Sequence, residues 1–374
     1  MQESEGKCMD FIDVLNEKIL LLDGSMGAYL QKKGMAAGKA PDLLNLESPE
    51  LIKEVHEAYL AAGSDIILTN TFGATRPRLE EHGCSDKIEE INRKAVEIAK
   101  SAAGDGKFVA GDIGPCGLMP EPAGIVKFED VVSVFREQAE ILVKAGVDLI
   151  VVETFFDIQE LRAAMIGVRE ASATIPIVSF MTYTPDGKTD TGVTPWAATV
   201  ILEKLGACAV GTNCSTGPEG MLNIVKKLGR YSSINLACQP NAGLPEEIDG
   251  NFVYSMGPAD VAAFTERFLE AGVGIIGGCC GTVPETIKLM RQKIDAYGSK
   301  KIKESNNNLI LSSGSKTISI GGTSPFGIIG ERINPTGRKK FAASLSEGKL
   351  SVAVRDGLKQ EVAGAHILDV NTGL

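Results

Sequence analysis

The sequence predicts an α/β protein, a (β/α)8 TIM barrel followed by the opening β-α-β of a second, truncated barrel. Three observations carry this. Eight short runs are apolar on both faces, as strands buried within a parallel sheet are, rather than alternating. One phrase that ends a helix and begins a strand recurs: Ala-Gly-Ser-Asp-Ile at 62–66, Ala-Gly-Val-Asp-Leu at 145–149, Ala-Gly-Val-Gly-Ile at 271–275 and Ala-Gly-Ala-His-Ile at 363–367. Such repetition marks β/α units. The eight units span roughly 280 residues, close to the usual length of about 250 for this barrel. An open doubly wound sheet is the competing architecture, but no Gly-x-Gly-x-x-Gly follows the first strand.

The expected strands are Ile19–Asp23, Ile66–Asn70, Phe108–Gly111, Leu149–Val152, Ile177–Thr182, Ala207–Thr212, Ile234–Cys238 and Gly274–Gly278. Helical patterns lie between them. From Lys127, apolar residues recur at Phe128, Val131, Val132, Phe135, Ala139, Leu142 and Val143, one face of a helix, and Gly146 stands where a C-cap belongs. Val283–Tyr297 closes the barrel. The first domain is therefore residues 1–298. The Lys-, Asn- and Ser-rich stretch that follows is a linker, residues 299–322. Residues 323–374 hold a strand at Phe326–Ile329, a helix at Ser351–Gly364 and a strand at His366–Val370. Two strands and a helix cannot close a sheet, so they begin a domain they do not finish.

Composition narrows the function classes. The net charge is −10, which argues against a nucleic-acid binder, because phosphate neutralisation needs clustered Lys and Arg. No apolar run approaches the roughly 20 residues that span a bilayer, and Met1–Glu17 lacks a signal-peptide core. The reading is a cytoplasmic protein without nucleic-acid or membrane partners. Its 8 cysteines are then reduced thiols, and clustered ones are metal-ligand or catalytic candidates.

In a parallel barrel the chemistry sits at the C-terminal ends of the strands. There the sequence places Asp23-Gly24-Ser25-Met26, Asp112, Glu153, Cys214 after the sixth strand, and Cys279 and Cys280 after the eighth. Three convergent thiols in a chain with 3 histidines favour zinc, and three protein ligands leave the fourth position exchangeable. A zinc held by three thiolates deprotonates an entering thiol and keeps its sulfur electron-rich, which suits thiol alkylation. Two other readings stand beside it: three small buried hydrophobes at strand ends, or a vicinal disulfide, which leaves Cys214 unexplained. Asp23 and Glu153 face the same mouth and suit a cationic amino group, or serve as loop caps or structural ion pairs. The amides of the Gly-Ser-Met-Gly turn suit a carboxylate.

The motifs also carry a resemblance. Leu-Leu-Asp-Gly-Ser-Met-Gly at 21–27, Thr-Asn-Thr-Phe-Gly-Ala at 69–74, Gly-Asp-Ile-Gly-Pro at 111–115, Glu-Thr-Phe at 153–155, Asn-Cys-Ser at 213–215, Pro-Asn-Ala-Gly at 240–243 and Gly-Gly-Cys-Cys-Gly-Thr at 277–282 resemble the homocysteine-binding zinc methyltransferase barrel. Ile-Gly-Glu-Arg-Ile-Asn-Pro-Thr-Gly at 329–337 and Ile-Leu-Asp-Val-Asn at 367–371 resemble the start of a pterin-binding barrel. That order is the arrangement of the cobalamin-dependent methionine synthase family. The resemblance implies Cys214, Cys279 and Cys280 as catalytic zinc ligands, with Asn241 in the fourth position until homocysteine displaces it. It implies Asp23, Ser25, Met26 and Glu153 as the homocysteine site, and Glu331, Asn334, Asp369 and Asn371 as pterin-domain positions. It also implies methylcobalamin as the methyl donor, bound on a corrinoid-binding domain or protein elsewhere. Methyltetrahydrofolate would be a ligand only with the second barrel complete. Betaine or a sulfonium compound as donor, and a non-catalytic zinc-binding module, are the alternatives.

Overall fold

Every apolar run forms a strand. In the computed structural model, which describes residues 10–35, 40–248, 251–299, 308–322 and 324–373, these are β1 (Leu20–Leu21), β2 (Ile66–Leu68), β3 (Phe108–Ile113) and β4 (Leu149–Phe155). They continue with β5 (Ile177–Met181), β6 (Ala209–Asn213) and β7 (Asn235–Gln239). After a hairpin of β8 (Pro245–Ile248) and β9 (Asn251–Tyr254) comes β10 (Val273–Ile276). The barrel strands pair in parallel in the order β1-β10-β7-β6-β5-β4-β3-β2, and a parallel bridge between Leu22 and Ile66 closes the ring.

The strands are apolar on both faces because each face meets a different core. Leu20, Leu22, Val151, Val178, Phe180, Ala237 and Ile275 pack together inside the barrel. Their alternating neighbours Leu21, Val152, Ile177, Leu236 and Ile276 pack outward in the cluster that includes the surrounding helices. The helix Phe128–Ala145 contributes Val131, Phe135, Ala139 and Leu142 to that outer layer, the one-face spacing read from the sequence. The recurrent phrase has a backbone reason: Gly63, Gly146, Gly272 and Gly364 have φ of 107°, 93°, 90° and 96°. A left-handed residue there ends the helix and turns the chain into the next strand, at no steric cost to glycine.

Periodicity alone missed two features of this unit. Part of the polar N-terminal stretch is a helix, Phe11–Glu17, capped by the Asp10 carboxylate, which accepts from the Ile12 amide at 2.8 Å. Phe11, Val14 and Leu15 join the interior cluster, and Phe11 meets the Phe108 ring edge-on at 5.2 Å. This helix plugs the N-terminal end of the barrel, where its three apolar residues are too few to register as a pattern. The β8–β9 hairpin is the second, an antiparallel insertion over the opposite end.

The chain divides at 305/306 into two units. The second contains a hairpin of β11 (Leu309–Ser312) and β12 (Thr317–Ile320), inside the stretch read as linker. Then follow β13 (Ile329–Ile333), helices Lys339–Ser346 and Ser351–Val362, and β14 (Ile367–Val370), parallel to β13. The strand expected at Phe326–Ile329 is displaced: it begins at Ile329, where pairing with Ile367 begins, and Phe326 is 97% exposed. An apolar run marks the neighbourhood of a strand, whereas the partner decides its ends. Among the described residues, no helix is long and apolar enough to cross a membrane.

Candidate active site

The C-terminal ends of β6 and β10 deliver three thiols to one point. Cys280 Sγ lies 3.9 Å from Cys214 Sγ and 3.9 Å from Cys279 Sγ, and all three sulfurs are within 4.8 Å of one another. Ligands about 2.3 Å from a tetrahedral zinc stand about 3.8 Å apart, so the cluster has the spacing of three such ligands. Among the described residues it is the group of this kind that suits a metal ion. The donor set fits as well: three soft thiolates, with Asn241 beside them. The Asn241 side chain favours the charged form of Cys214, and its buried Oδ1 has no partner.

Backbone geometry makes this convergence possible. After β10 the chain turns so that Cys279 N donates to Pro240 O and Ala242 N to Cys280 O, both at 2.9 Å, stitching the two loops together. Gly281 follows with φ of 78°, and a Cβ there would lie 2.4 Å from the Tyr254 ring of β9, so no larger residue fits. The Tyr254 hydroxyl favours the charged form of Cys280. On the other loop, Cys214 and Ser215 have φ of 57° and 61°; with Thr154 at 64° they are the non-glycine residues of positive φ among the described ones. Each such conformation costs about 1–3 kcal/mol and persists only where the surroundings hold it. All three border this site.

Sharing of protons sets the charge of the cluster. Hydrogen bonds from Cys279 and Cys280 hold Cys214 down at about 3. The same sharing pushes Cys279 well above the usual thiol range and Cys280 to about 11.

A cavity of about 600 Å³ joins the thiols to three buried carboxyl groups. Asp23 follows β1, Asp112 is near the end of β3 and Glu153 near that of β4, and they are 3%, 5% and 8% exposed. Asp23 Oδ2 accepts the Leu68 amide at 2.9 Å. Asp23 Oδ1, Asp112 Oδ1 and Glu153 Oε2 are buried without partners. Burial pushes all three carboxyls up, Glu153 to about 7 with help from the Cys214 charge, and Asp112 further through its acidic neighbours Glu153 and Asp23. Three carboxyl groups of high proton affinity lining one cavity, each with a buried oxygen that lacks a partner, have the chemistry to accept from a cationic, multiply donating group. Asp112 lines this cavity although sequence reasoning assigned it no role. Its signal was the one that flagged Asp23 and Glu153, a carboxylate at the end of an apolar strand. Gln239, whose side chain favours the charged form of Glu153, was also passed over.

Ser25 and Met26 line the same cavity. Ser25 Oγ accepts the Ala28 amide at 3.1 Å and so caps the helix Met26–Lys32. The Met26 and Gly27 amides, first in that helix, have no acceptor within it. Tyr59 donates to Ser25 O and Thr282 O at 3.0 and 3.2 Å, tying this turn to the loop after β10. A larger cavity of about 1480 Å³ opens at the N-terminal end of the barrel. It holds none of these groups, and its Arg291 is committed to Asp65 at 2.8 Å.

The tail positions lie outside this cavity. Glu331, Asp369 and Asn371 are exposed, and Asn334 is half-buried with its Oδ1 accepting the Thr336 amide at 2.9 Å.

The sequence profile of the homocysteine S-methyltransferase family matches residues 20–294. The fold is similar to that of the homocysteine methyltransferase MmuM from Escherichia coli in its oxidised and metallated forms. These are 25% identical with TM-scores of 0.64 and 0.63, over 74% of this chain and 96% of those chains. Methionine synthase of Mycobacterium tuberculosis (strain ATCC 25618 / H37Rv) is 29% identical over 378 residues, 96% of this chain and 32% of that protein. The chain thus spans 32% of the length of this curated relative.

Proposed function

Because the chain belongs to the homocysteine S-methyltransferase family, we propose that its barrel binds homocysteine and a zinc ion and transfers a methyl group to the homocysteine sulfur, giving methionine. The observation that carries this reading is the single cavity lined by three thiols at ligand spacing and by three buried carboxyl groups, each with an oxygen that lacks a partner. Homocysteine needs both ends: a soft metal for its thiol and acceptors for its ammonium.

Cys214, Cys279 and Cys280 would hold the zinc, and Asn241 Oδ1 supplies a neutral oxygen for the fourth position. Zinc, when bound, lowers the pKa of a thiol that joins it, so the sulfur is anionic at neutral pH. Glu153 and Asp23 take the substrate ammonium, and the charge brought in draws their carboxyl protons off. The turn at Ser25–Met26 takes the substrate carboxylate. The sulfur lone pair forms the new S–C bond, while the donor keeps the electron pair of the bond that breaks.

For the donor we propose methylcobalamin on a corrinoid-binding domain or partner, recharged from methyltetrahydrofolate. The similarity to methionine synthase extends over 96% of the chain, well past the barrel, and Glu331, Asn334, Asp369 and Asn371 match pterin-domain positions. On this reading residues 1–298 are the homocysteine domain, 299–322 a linker, and 323–374 the start of a pterin domain.

Zinc X-ray absorption with and without homocysteine tests the site. One additional sulfur scatterer is expected on addition, and an unchanged spectrum means a closed zinc module. Turnover with methylcobalamin, betaine and a methylsulfonium compound in parallel tests the donor; activity with betaine alone would overturn the corrinoid assignment.

A further inference from the structure

We propose that Asn213 is a positioning residue that aims the Glu153 carboxylate relative to the thiol cluster by clamping the backbone after Glu153. The assignment rests on the reading above, in which Glu153 receives the substrate ammonium.

The clamp sits where the barrel's own ladder fails. β4 pairs with β5 through Val152 and Ser179, then slips in register before Phe155 meets Met181. Glu153 and Thr154 occupy the slip, and Thr154 is left-handed, with φ of 64°. A bulge of this kind re-aims the side chain beside it, but an interrupted ladder also releases backbone groups that need partners. Asn213 supplies them from two strands away. Its Oδ1 accepts the Thr154 amide at 3.0 Å and the Thr182 hydroxyl at 3.2 Å, and its Nδ2 donates to Thr154 Oγ1 at 2.8 Å. Thr182 Oγ1 also bonds Asn213 O at 3.1 Å. The Asn213 side chain is fully buried, while its backbone stays in register with Gln239.

The first residue after β6 is Cys214, itself left-handed. One amide therefore joins the residue after the ammonium receptor to the residue before a thiol of the cluster. Aspartate at this place keeps the acceptor bonds but loses the donor; alanine makes neither, and glutamine is one methylene too long. A clamp with only a scaffolding role would be indifferent to which substrate group is present, and this one is not expected to be.

The test is homocysteine binding by calorimetry on the zinc-loaded full chain, with 4-mercaptobutanoate, which lacks the amino group, as the control thiol. Asn213→Ala should weaken homocysteine about tenfold or more, leave zinc stoichiometric and change the control thiol far less. Asn213→Asp should fall between alanine and wild type. Combined with Glu153→Gln, Asn213→Ala should add little further loss, because both remove the same interaction. If Asn213→Ala does not fold, Asn213→Ala/Thr154→Gly carries the test, since glycine adopts the left-handed backbone without the clamp; homocysteine should still bind weakly. Wild-type affinity in an Asn213→Ala protein, equal losses for both thiols, or losses that add to those of Glu153→Gln overturn the clamp. A Glu153→Gln protein that binds homocysteine normally overturns instead the reading of the site on which it rests.

Discussion

Cys214 and Cys280 bring their sulfurs to 3.9 Å from loops 66 residues apart in the chain. Their strands, β6 and β10, are not neighbours; β7 lies between them. The approach exists because both loops bend inward over β7, one through two left-handed residues and the other through Gly281. Thiols held this close share protons, which is why Cys214 is driven down while its partners are driven up. A dication removes that frustration by taking all three as thiolates.

Changing Cys214, Cys279 or Cys280 singly to Ser should therefore release zinc while the barrel stays folded. The three thiols are on rim loops, whereas the core is formed by the strands and helices below. Metal analysis beside far-ultraviolet circular dichroism checks this. Stoichiometric zinc in any one variant would remove that cysteine from the ligand set.

The buried carboxyls predict a substrate-selective loss. Glu153→Gln should weaken homocysteine roughly ten- to a hundredfold, the loss of one charge-assisted hydrogen bond of about 1.5–3 kcal/mol. Asp112→Asn should act in the same direction, because Asp112 lines the same cavity. Zinc content should be unchanged in both. Titrating homocysteine and a simple alkyl thiol into each variant is the measurement, and equal losses for the two thiols would return these carboxylates to a structural role.

Homocysteine binding should survive removal of the second unit. A chain ending after Tyr297 retains every barrel strand, the closing helix Pro284–Tyr297 and the cavity residues. Calorimetry on the truncated chain should give a dissociation constant within about twofold of the full chain. A larger loss would show that residues beyond the barrel complete the site.

Stability should fall with pH through one buried histidine. His56 is fully buried with both ring nitrogens unpartnered, and burial pulls its pKa from 6.5 down to about 4. The unfolded chain takes the proton more readily, so between pH 6.5 and about 4 acid favours unfolding. Asp42, raised to about 6 by burial, opposes it, because the folded state holds that proton more tightly. Comparison with His56→Leu isolates the histidine: between pH 7 and 5, wild type should lose about 2 kcal/mol relative to the variant. Denaturant unfolding at the two pH values reads the difference. A constant difference would mean that the His56 ring is solvated in the fold.

Much of this was already written in the chain. The apolar runs and the Ala-Gly phrases determine the barrel, because burial on both faces and a left-handed helix end are demands that local residues meet by themselves. The rim motifs determine which thiols and carboxylates stand at strand ends, since in a parallel barrel position after a strand is position at the mouth. Tertiary structure alone decided which of these groups meet. Asp112 looks no different in sequence from any carboxylate after a strand, and only closure of the ring sets it in one cavity with Asp23 and Glu153. Asn213 reads as an ordinary strand end, and its role appears only where the β4–β5 ladder slips and leaves the Thr154 amide to be satisfied from β6. The Phe11–Glu17 plug and the true start of β13 were hidden for the same reason. Local pattern records what a segment can bury, but partners remote in sequence decide where its hydrogen bonds go.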